Sequence, residues 1–305
     1  MVELDQLTAL DGLQWLGAGE EVARRYDISQ ATVSRSCRKV LKTFGLQLER
    51  QNGELDLIGD QTLLQLERDV HQQARLAWRR PLRLEATYWS APTLCNTLPP
   101  GWLLGRSNIV GVRRNFQLLQ DGVVDAWLAG LPDLPTADQP DLTAVPLSRM
   151  PVFFTCAAGH PLLERQSLTY DDIAQFPTLA LPTGSYPLVE QALQAIGLWN
   201  DGVRMTRYRR DLWEGKAEVE LVVGYGTPLS MQISGGALCR LPLQLPFASG
   251  DALVFRRALG ASPRLQQLLD HLRARVARLA RMNGEIVPVS LAESRPASGD
   301  HAKSE

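Results

Sequence analysis

The chain runs to 305 residues, more than one hydrophobic core ordinarily serves, so two or three compact units are expected. Hydrophobic residues make up 45% and charged residues 21%, an ordinary soluble balance, and no apolar run approaches the roughly 18–20 residues that cross a bilayer. A helical membrane protein is thereby excluded. Acids (Glu3, Asp5) stand where a secretory leader carries positive charge, so the cytoplasm is the expected compartment, with no membrane partner. Four cysteines (Cys37, Cys95, Cys156, Cys239) lie far apart without a C-x-x-C or a nearby histidine pair, which argues against a zinc site or a disulfide framework. A redox switch between two of the last three is weighed against plain buried thiols.

Leu4, Leu7, Leu10 and Leu13 recur at near-helical spacing and predict a first helix ending near Gly17. A short second helix over residues 20–26 presents Val22, Ala23 and Tyr26 on one side, and the turn Asp27-Ile28 follows. Ser29 is placed to cap a third helix, with Ile28 and Val33 as the two halves of a hydrophobic staple. Beyond Phe44-Gly45, alternating Leu46 and Leu48, the turn pair Asn52-Gly53, and alternating Leu55 and Leu57 predict a two-stranded hairpin. Three helices and a hairpin within residues 1–59 are what a winged helix-turn-helix requires. Leu63, Leu66, Val70, Ala74 and Ala77 then line one face of a longer helix, Asp60 to Ala77, inside a linker spanning 60–81. It has too little core beside it in its own chain, so a partner helix is the expected cover.

Past Pro81, apolar runs at 82–86, 109–112, 123–129, 152–156, 178–181 and 252–255 alternate with helical stretches, predicting an α/β unit with a mostly parallel sheet. A last helix, residues 262–282, carries Leu265, Leu268, Leu269, Leu272 and Val276 on its apolar side. Residues 283–305, rich in Ser, Pro and charge, are expected to be a disordered tail.

The net charge of −1 conceals a local excess: from Ile28 to Leu48 there are four bases and no acid. On a helical wheel Val33, Cys37, Val40, Leu41 and Phe44 gather on one side of the third helix. Ala31, Arg35, Arg38 and Lys42 centre on the other, flanked by Thr32, Ser34 and Lys39. Such a helix can enter a major groove, with Gln30 suited to adenine, Arg35 to guanine, and Lys39 and Lys42 to phosphates. A solvated basic face is the plain alternative, and the helix before it and the hairpin after it weigh against that. The candidate DNA contacts are Ser29, Gln30, Ala31, Thr32, Ser34, Arg35, Arg38, Lys39 and Lys42.

The run Ser29-Gln30-Ala31-Thr32-Val33-Ser34-Arg35, followed by Phe44-Gly45-Leu46-Gln47-Leu48, resembles the signature of the LysR-type transcriptional regulators. Leu119-Gln120-Asp121-Gly122-Val123-Val124-Asp125, Gly159-His160-Pro161-Leu162 and Leu221-Val222-Val223-Gly224-Tyr225-Gly226 are similar to three later marks of that family, in order. The resemblance implies an α/β chain: an N-terminal winged helix-turn-helix, a linker helix, and a two-lobed periplasmic-binding-protein-like effector domain over 82–282. Lobe I would take 82–143 and 242–282, and lobe II 144–241. It also implies a homodimer or homotetramer that binds double-stranded DNA and responds to a small-molecule effector. Some residues depart from the family pattern. Glu49, Glu54 and Asp56 make the wing a poor phosphate binder, and Ile58 replaces a capping threonine, leaving that role to Asp60. The segment from Leu82 to Gly122 is shorter than usual, which reduces lobe I.

Sheets of this class bind ligands at the carboxyl ends of their strands, where helix N-termini offer free N–H groups. Thr87, Tyr88, Trp89 and Ser90 follow the run at 82–86, and Thr183 and Ser185 follow 178–181; these six are the candidate effector contacts. Plain helix caps would also account for Thr87 and Ser185. Two hydroxyl-bearing helix starts suit a small organic anion, with Tyr88 and Trp89 over its apolar part and the lobes hinging near Ala129-Gly130 and Leu241-Pro242. One rival is a regulator whose shortened sensing unit binds no small molecule. Another is an enzyme with an appended DNA-binding unit, but no G-x-S-x-G and no complete phosphate or dinucleotide loop is present. The expectation is a transcription regulator without catalytic residues, metal or cofactor.

Overall fold

Each N-terminal helix stops where the sequence supplies a residue that tolerates left-handed backbone. In the computed structural model, which describes residues 2–77, 80–198 and 203–290, α1 (Leu4–Leu16) ends at Gly17, α2 (Gly19–Tyr26) at Asp27 and α3 (Gln30–Phe44) at Gly45, all with positive φ. The Ser29 hydroxyl accepts the Thr32 N–H at 3.1 Å and so caps α3. β1 (Gln47–Gln51) and β2 (Glu54–Ile58) pair antiparallel around Asn52 and Gly53, whose φ values of 50° and 86° are those the Asn-Gly pair predicts. α4 (Thr62–Ala77) follows Asp60, whose carboxylate accepts the Thr62 N–H at 3.0 Å.

The larger part of the chain runs β3 (Leu82–Ala86), α5 (Ser90–Leu94), β4 (Trp102–Leu104), α6 (Val112–Gln120), β5 (Ala126–Gly130), β6 (Leu142–Pro146), β7 (Ser148–Ala157), α7 (Tyr170–Ala174) and α8 (Pro187–Ala195). It continues through α9 (Glu214–Val219), β8 (Gly224–Gly226), α10 (Pro228–Ile233), β9 (Leu238–Ser249), β10 (Asp251–Arg256), α11 (Pro263–Met282) and β11 (Val287–Pro288). One sheet has the order β4-β3-β5-β10-β6, and the other centres on β7, which pairs with β8, β9 and β11. Only the β4-β3-β5 part of the first sheet is parallel; β10 and the whole neighbourhood of β7 are antiparallel, a correction to the mostly parallel expectation. The reason is the route, since β9 passes directly into β10 through Gly250 with no crossover helix. The changes of sheet fall at Leu147 and Gly250, a few residues after the expected 143 and 242. The runs at 109–112 and 178–181 make single bridges, Ile109 with Arg207 and Thr178 with Val223, in place of full strands.

One further expectation needs correcting. The start of the expected tail is docked: Ile286 is buried, Val287 pairs with Arg149 of β7, and Glu285 meets Arg240 at 2.8 Å. The remainder of that tail, 291–305, lies outside the described residues. α4 packs on its own chain through its polar side and leaves Leu63, Leu66 and Val70 of its apolar stripe uncovered, as expected. Arg68, Gln72 and Arg75 are buried, whereas Leu63, Leu66 and Val70 are 67%, 60% and 59% exposed. Arg68 meets Asp11 of α1 at 2.9 Å, Arg75 meets Asp125 at 2.9 Å, and Arg83 of β3 reaches the second oxygen of Asp11 at 3.1 Å. Trp15 donates to Glu85 of β3 at 2.6 Å. One apolar cluster runs on from Leu7, Leu10, Trp15 and Val33 to Leu119, Val124 and Trp127, so α1, α4 and the first sheet share a core.

Candidate functional site

The expected DNA-contacting residues stay together on one open face. Val33, Cys37 and Val40 are buried beneath α3, while Ser29, Gln30, Ala31, Ser34, Arg35, Arg38, Lys39 and Lys42 are exposed and Thr32 is half-buried. Arg35 donates to the Thr32 hydroxyl and Arg38 to the Ser34 hydroxyl, each at 3.3 Å. Among the described residues none of the four bases of α3 has a carboxylate partner, so their charge is available to a polyanion. The hairpin behaves differently, because two of its acids are engaged. Glu54 meets Arg207 at 2.6 Å and Asp56 meets Arg114 at 2.8 Å.

The second site is a cavity of about 80 Å³ between the two sheets. Thr87, Tyr88 and Trp89 reach it from the end of β3, Gly130 and Leu131 from the end of β5, and Phe247 and Ser249 from β9. Tyr225 and Gly226 come from β8, and Met205 and Tyr208 from the segment bridged to Ile109. Glycine is required at 130, where a Cβ would stand 2.6 Å from the Trp89 ring. Tyr88 stacks on Tyr208 with centroids 3.7 Å apart and planes within 5°, and Trp89 meets Tyr88 edge-on at 4.9 Å.

Of the six expected effector contacts, Thr87, Tyr88 and Trp89 line this cavity, and Ser90, Thr183 and Ser185 do not. Ser90 is buried behind the wall, bonded to the Thr87 hydroxyl at 2.7 Å and donating to Asp251. Thr183 is exposed, and the Ser185 carbonyl accepts the Val112 N–H at 2.9 Å, which ties that loop to α6. The helix start expected to receive an anion is already occupied by the protein's own carboxylate: Asp133 accepts the Leu188 N–H at 2.7 Å and the Val189 N–H at 3.3 Å. Among the described residues no Arg, Lys or His lines the cavity. The charged groups behind its walls are Asp133, Asp251 and Glu214, the last accepting from the Tyr208 hydroxyl, and burial pushes all three above the ordinary carboxylate range. The lining therefore offers an organic anion no cation.

The sequence reading missed most of the aromatic wall, namely Tyr186, Tyr208, Trp213, Tyr225 and Phe247. One signal was available, a tyrosine between two glycines at 224–226, noted only as a family mark. Tyr225 stands out chemically, because its hydroxyl is buried and has no hydrogen-bond partner among the described residues. Among the described residues no group of His, Cys, Asp or Glu is placed to hold a metal ion, and no helix is long and apolar enough to cross a membrane. The cysteines are free; Cys156 and Cys239 stand opposite each other on β7 and β9, and burial pushes the Cys156 thiol up to about 11.

A family model described as the LysR substrate binding domain matches residues 110–277. The probable nitrogen assimilation transcriptional activator of Synechococcus elongatus is 24% identical over 219 residues, covering 65% of this chain and 70% of that one. Full-length OxyR of Pseudomonas aeruginosa has a similar fold, with a TM-score of 0.56, 19% identity, and coverage of 90% of this chain and 95% of that one. Full-length CbnR in complex with its target DNA is also similar in fold, with a TM-score of 0.51, 14% identity, and coverage of 90% and 100%.

Proposed function

This chain belongs to the LysR-type transcriptional regulators, and from that premise we propose that it binds an operator through α3 and answers to a small uncharged molecule carrying a ring. The observation that carries the DNA reading is the open face of α3, where Arg35, Arg38, Lys39 and Lys42 lie exposed without carboxylate partners. Arg35→Ala is expected to weaken operator binding by about 1–3 kcal/mol, and Lys42→Ala to weaken all duplexes alike and lower the salt slope by about 1. Gel-shift titration at several salt concentrations checks both. Operator affinity unchanged in Arg35→Ala would remove α3 from the base-reading role.

The ligand class follows from the lining that the described residues provide: aromatic walls, no cation, and one buried hydroxyl without a partner at Tyr225. A small ring with a single hydrogen-bonding atom would satisfy that hydroxyl, a gain of about 1–3 kcal/mol over leaving it unmade. Indole and phenol are expected to raise the melting temperature more than benzoate, and Tyr225→Phe to weaken them about tenfold. Benzoate acting alone would sink this ligand class. A second reading, a sensing unit that binds nothing, is favoured by the volume of about 80 Å³, smaller than the roughly 150 Å³ that holds benzene in an apolar cavity. A panel without any thermal shift would support it.

A further inference from the structure

Glu54 opens the second strand of the hairpin, where a DNA-facing wing would carry neutral or basic residues. Its carboxylate is held by two arginines from different parts of the sensing unit. Arg207 approaches in a fork, Nε to Oε1 at 2.7 Å and Nη2 to Oε2 at 2.6 Å, and Arg114 of α6 lies 3.7 Å from Oε2. Arg114 belongs to the part built on the first sheet, and Arg207 to the segment between the two crossings at Leu147 and Gly250. Both side chains of the fork are largely buried, at 19% and 12% exposure, so the pair is stronger than a surface ion pair. Arg207 also donates to the Trp15 carbonyl at 3.3 Å, at the carboxyl end of α1, where a cation is favoured.

Arg207 is bonded through the backbone to the cavity wall. Its neighbour Tyr208 carries the ring stacked on Tyr88, and the flanking peptides pair across the lobes, the Val110 N–H to the Thr206 carbonyl at 3.0 Å and the Tyr208 N–H to the Asn108 carbonyl at 2.6 Å. A molecule that enters between the lobes and parts Tyr88 from Tyr208 acts directly beside Arg207 and so on its fork with Glu54. A forked ion pair tolerates little displacement, because both hydrogen bonds fail together.

We propose that Glu54 is a clamp that reads the separation of the two lobes and holds the N-terminal unit through the hairpin, so that this edge of the wing is a sensor contact. The inference rests on the cavity reading made above for its biological input, while the clamp itself can be tested without any ligand. The experiment is hydrogen exchange on the full chain, comparing wild type with Glu54→Gln, Arg207→Lys and Asp56→Asn, with indole affinity by calorimetry as a separate measurement. Glu54→Gln keeps the shape and removes the charge between the arginines, and exchange is expected to quicken by about tenfold in both 47–58 and 203–208. Arg207→Lys keeps the charge, loses the fork, and is expected to act in the same direction should Glu54→Gln fold poorly. Asp56 faces Arg114 alone, so Asp56→Asn is expected to loosen 47–58 and leave 203–208 unchanged. Indole affinity should shift severalfold in Glu54→Gln, since coupling between two sites is reciprocal. The clamp is overturned if Glu54→Gln quickens 47–58 while 203–208 exchanges as in wild type, or if Asp56→Asn disturbs both segments alike. Indole that binds none of the four proteins overturns the ligand reading, while the exchange comparison still decides the clamp.

Discussion

Asp11 shows how one side chain joins the N-terminal unit to the rest of the chain. Burial acts to raise its carboxyl, but the Arg68 and Arg83 guanidiniums outweigh that and hold it below the ordinary carboxylate range. Removing it would strip buried Arg83 of its carboxylate and leave buried Arg68 only Asp121 at 3.7 Å, so Asp11→Ala is expected to lower stability by about 3–5 kcal/mol in urea unfolding. The pH dependence has a definite sign. A carboxyl depressed in the folded state contributes fully above its unfolded value of about 3.9 and loses that contribution as pH falls through the lower folded value. Stability measured from pH 6 downwards should therefore fall more steeply in wild type than in Asp11→Asn. Parallel acid limbs in the two proteins would show that Asp11 is not ionised in the folded state. None of this was readable at the level of sequence, where Asp11 was merely an acid between two leucines, because the arginines that set its charge arrive from positions 68 and 83.

α4 was legible as a helix but not as a packed one. Its leucine and valine spacing identified Leu63, Leu66 and Val70 as one stripe, and the structure keeps that stripe open to solvent. The opposite side carries Arg68, Gln72 and Arg75, which are buried because Asp11 and Asp125 wait for them in other elements. A large apolar side chain gains about 1.5–3 kcal/mol on full burial, so three in succession are a strong drive toward a second copy. Val70→Asp is expected to shift the protein toward monomer in light scattering across a concentration series. An unchanged mass would move the association surface off α4. Hairpin and helix ends were legible for a simpler reason, since Gly17, Gly45 and Asn52-Gly53 impose their geometry through their own backbone.

The cavity belongs to no single element, and its lining differs from the one the sequence suggested. Hydroxyl residues at 87–90 and 183–185 suggested an anion site, yet the helix start nearest the second group is taken by Asp133, and the wall is built from rings contributed from 88 to 247. Gly130 tests this assembly, because a Cβ there would press on Trp89 at 2.6 Å and drive the ring toward the cavity. Gly130→Ala is expected to destabilise by about 1–3 kcal/mol and to reduce indole binding, with DNA affinity retained. Full indole affinity in that variant would mean that Trp89 can retreat and takes no part in shaping the cavity. What the chain could announce locally was whatever depends on neighbours within a few positions: the helix caps, the Asn-Gly turn, the basic face of α3, and the run from Ser29 to Arg35 that marks the family. Contacts between distant positions decided the rest. Whether a charge is paired, which face of α4 is covered, and whether a pocket welcomes an anion depend on groups brought from many positions away, and only the folded arrangement places them side by side.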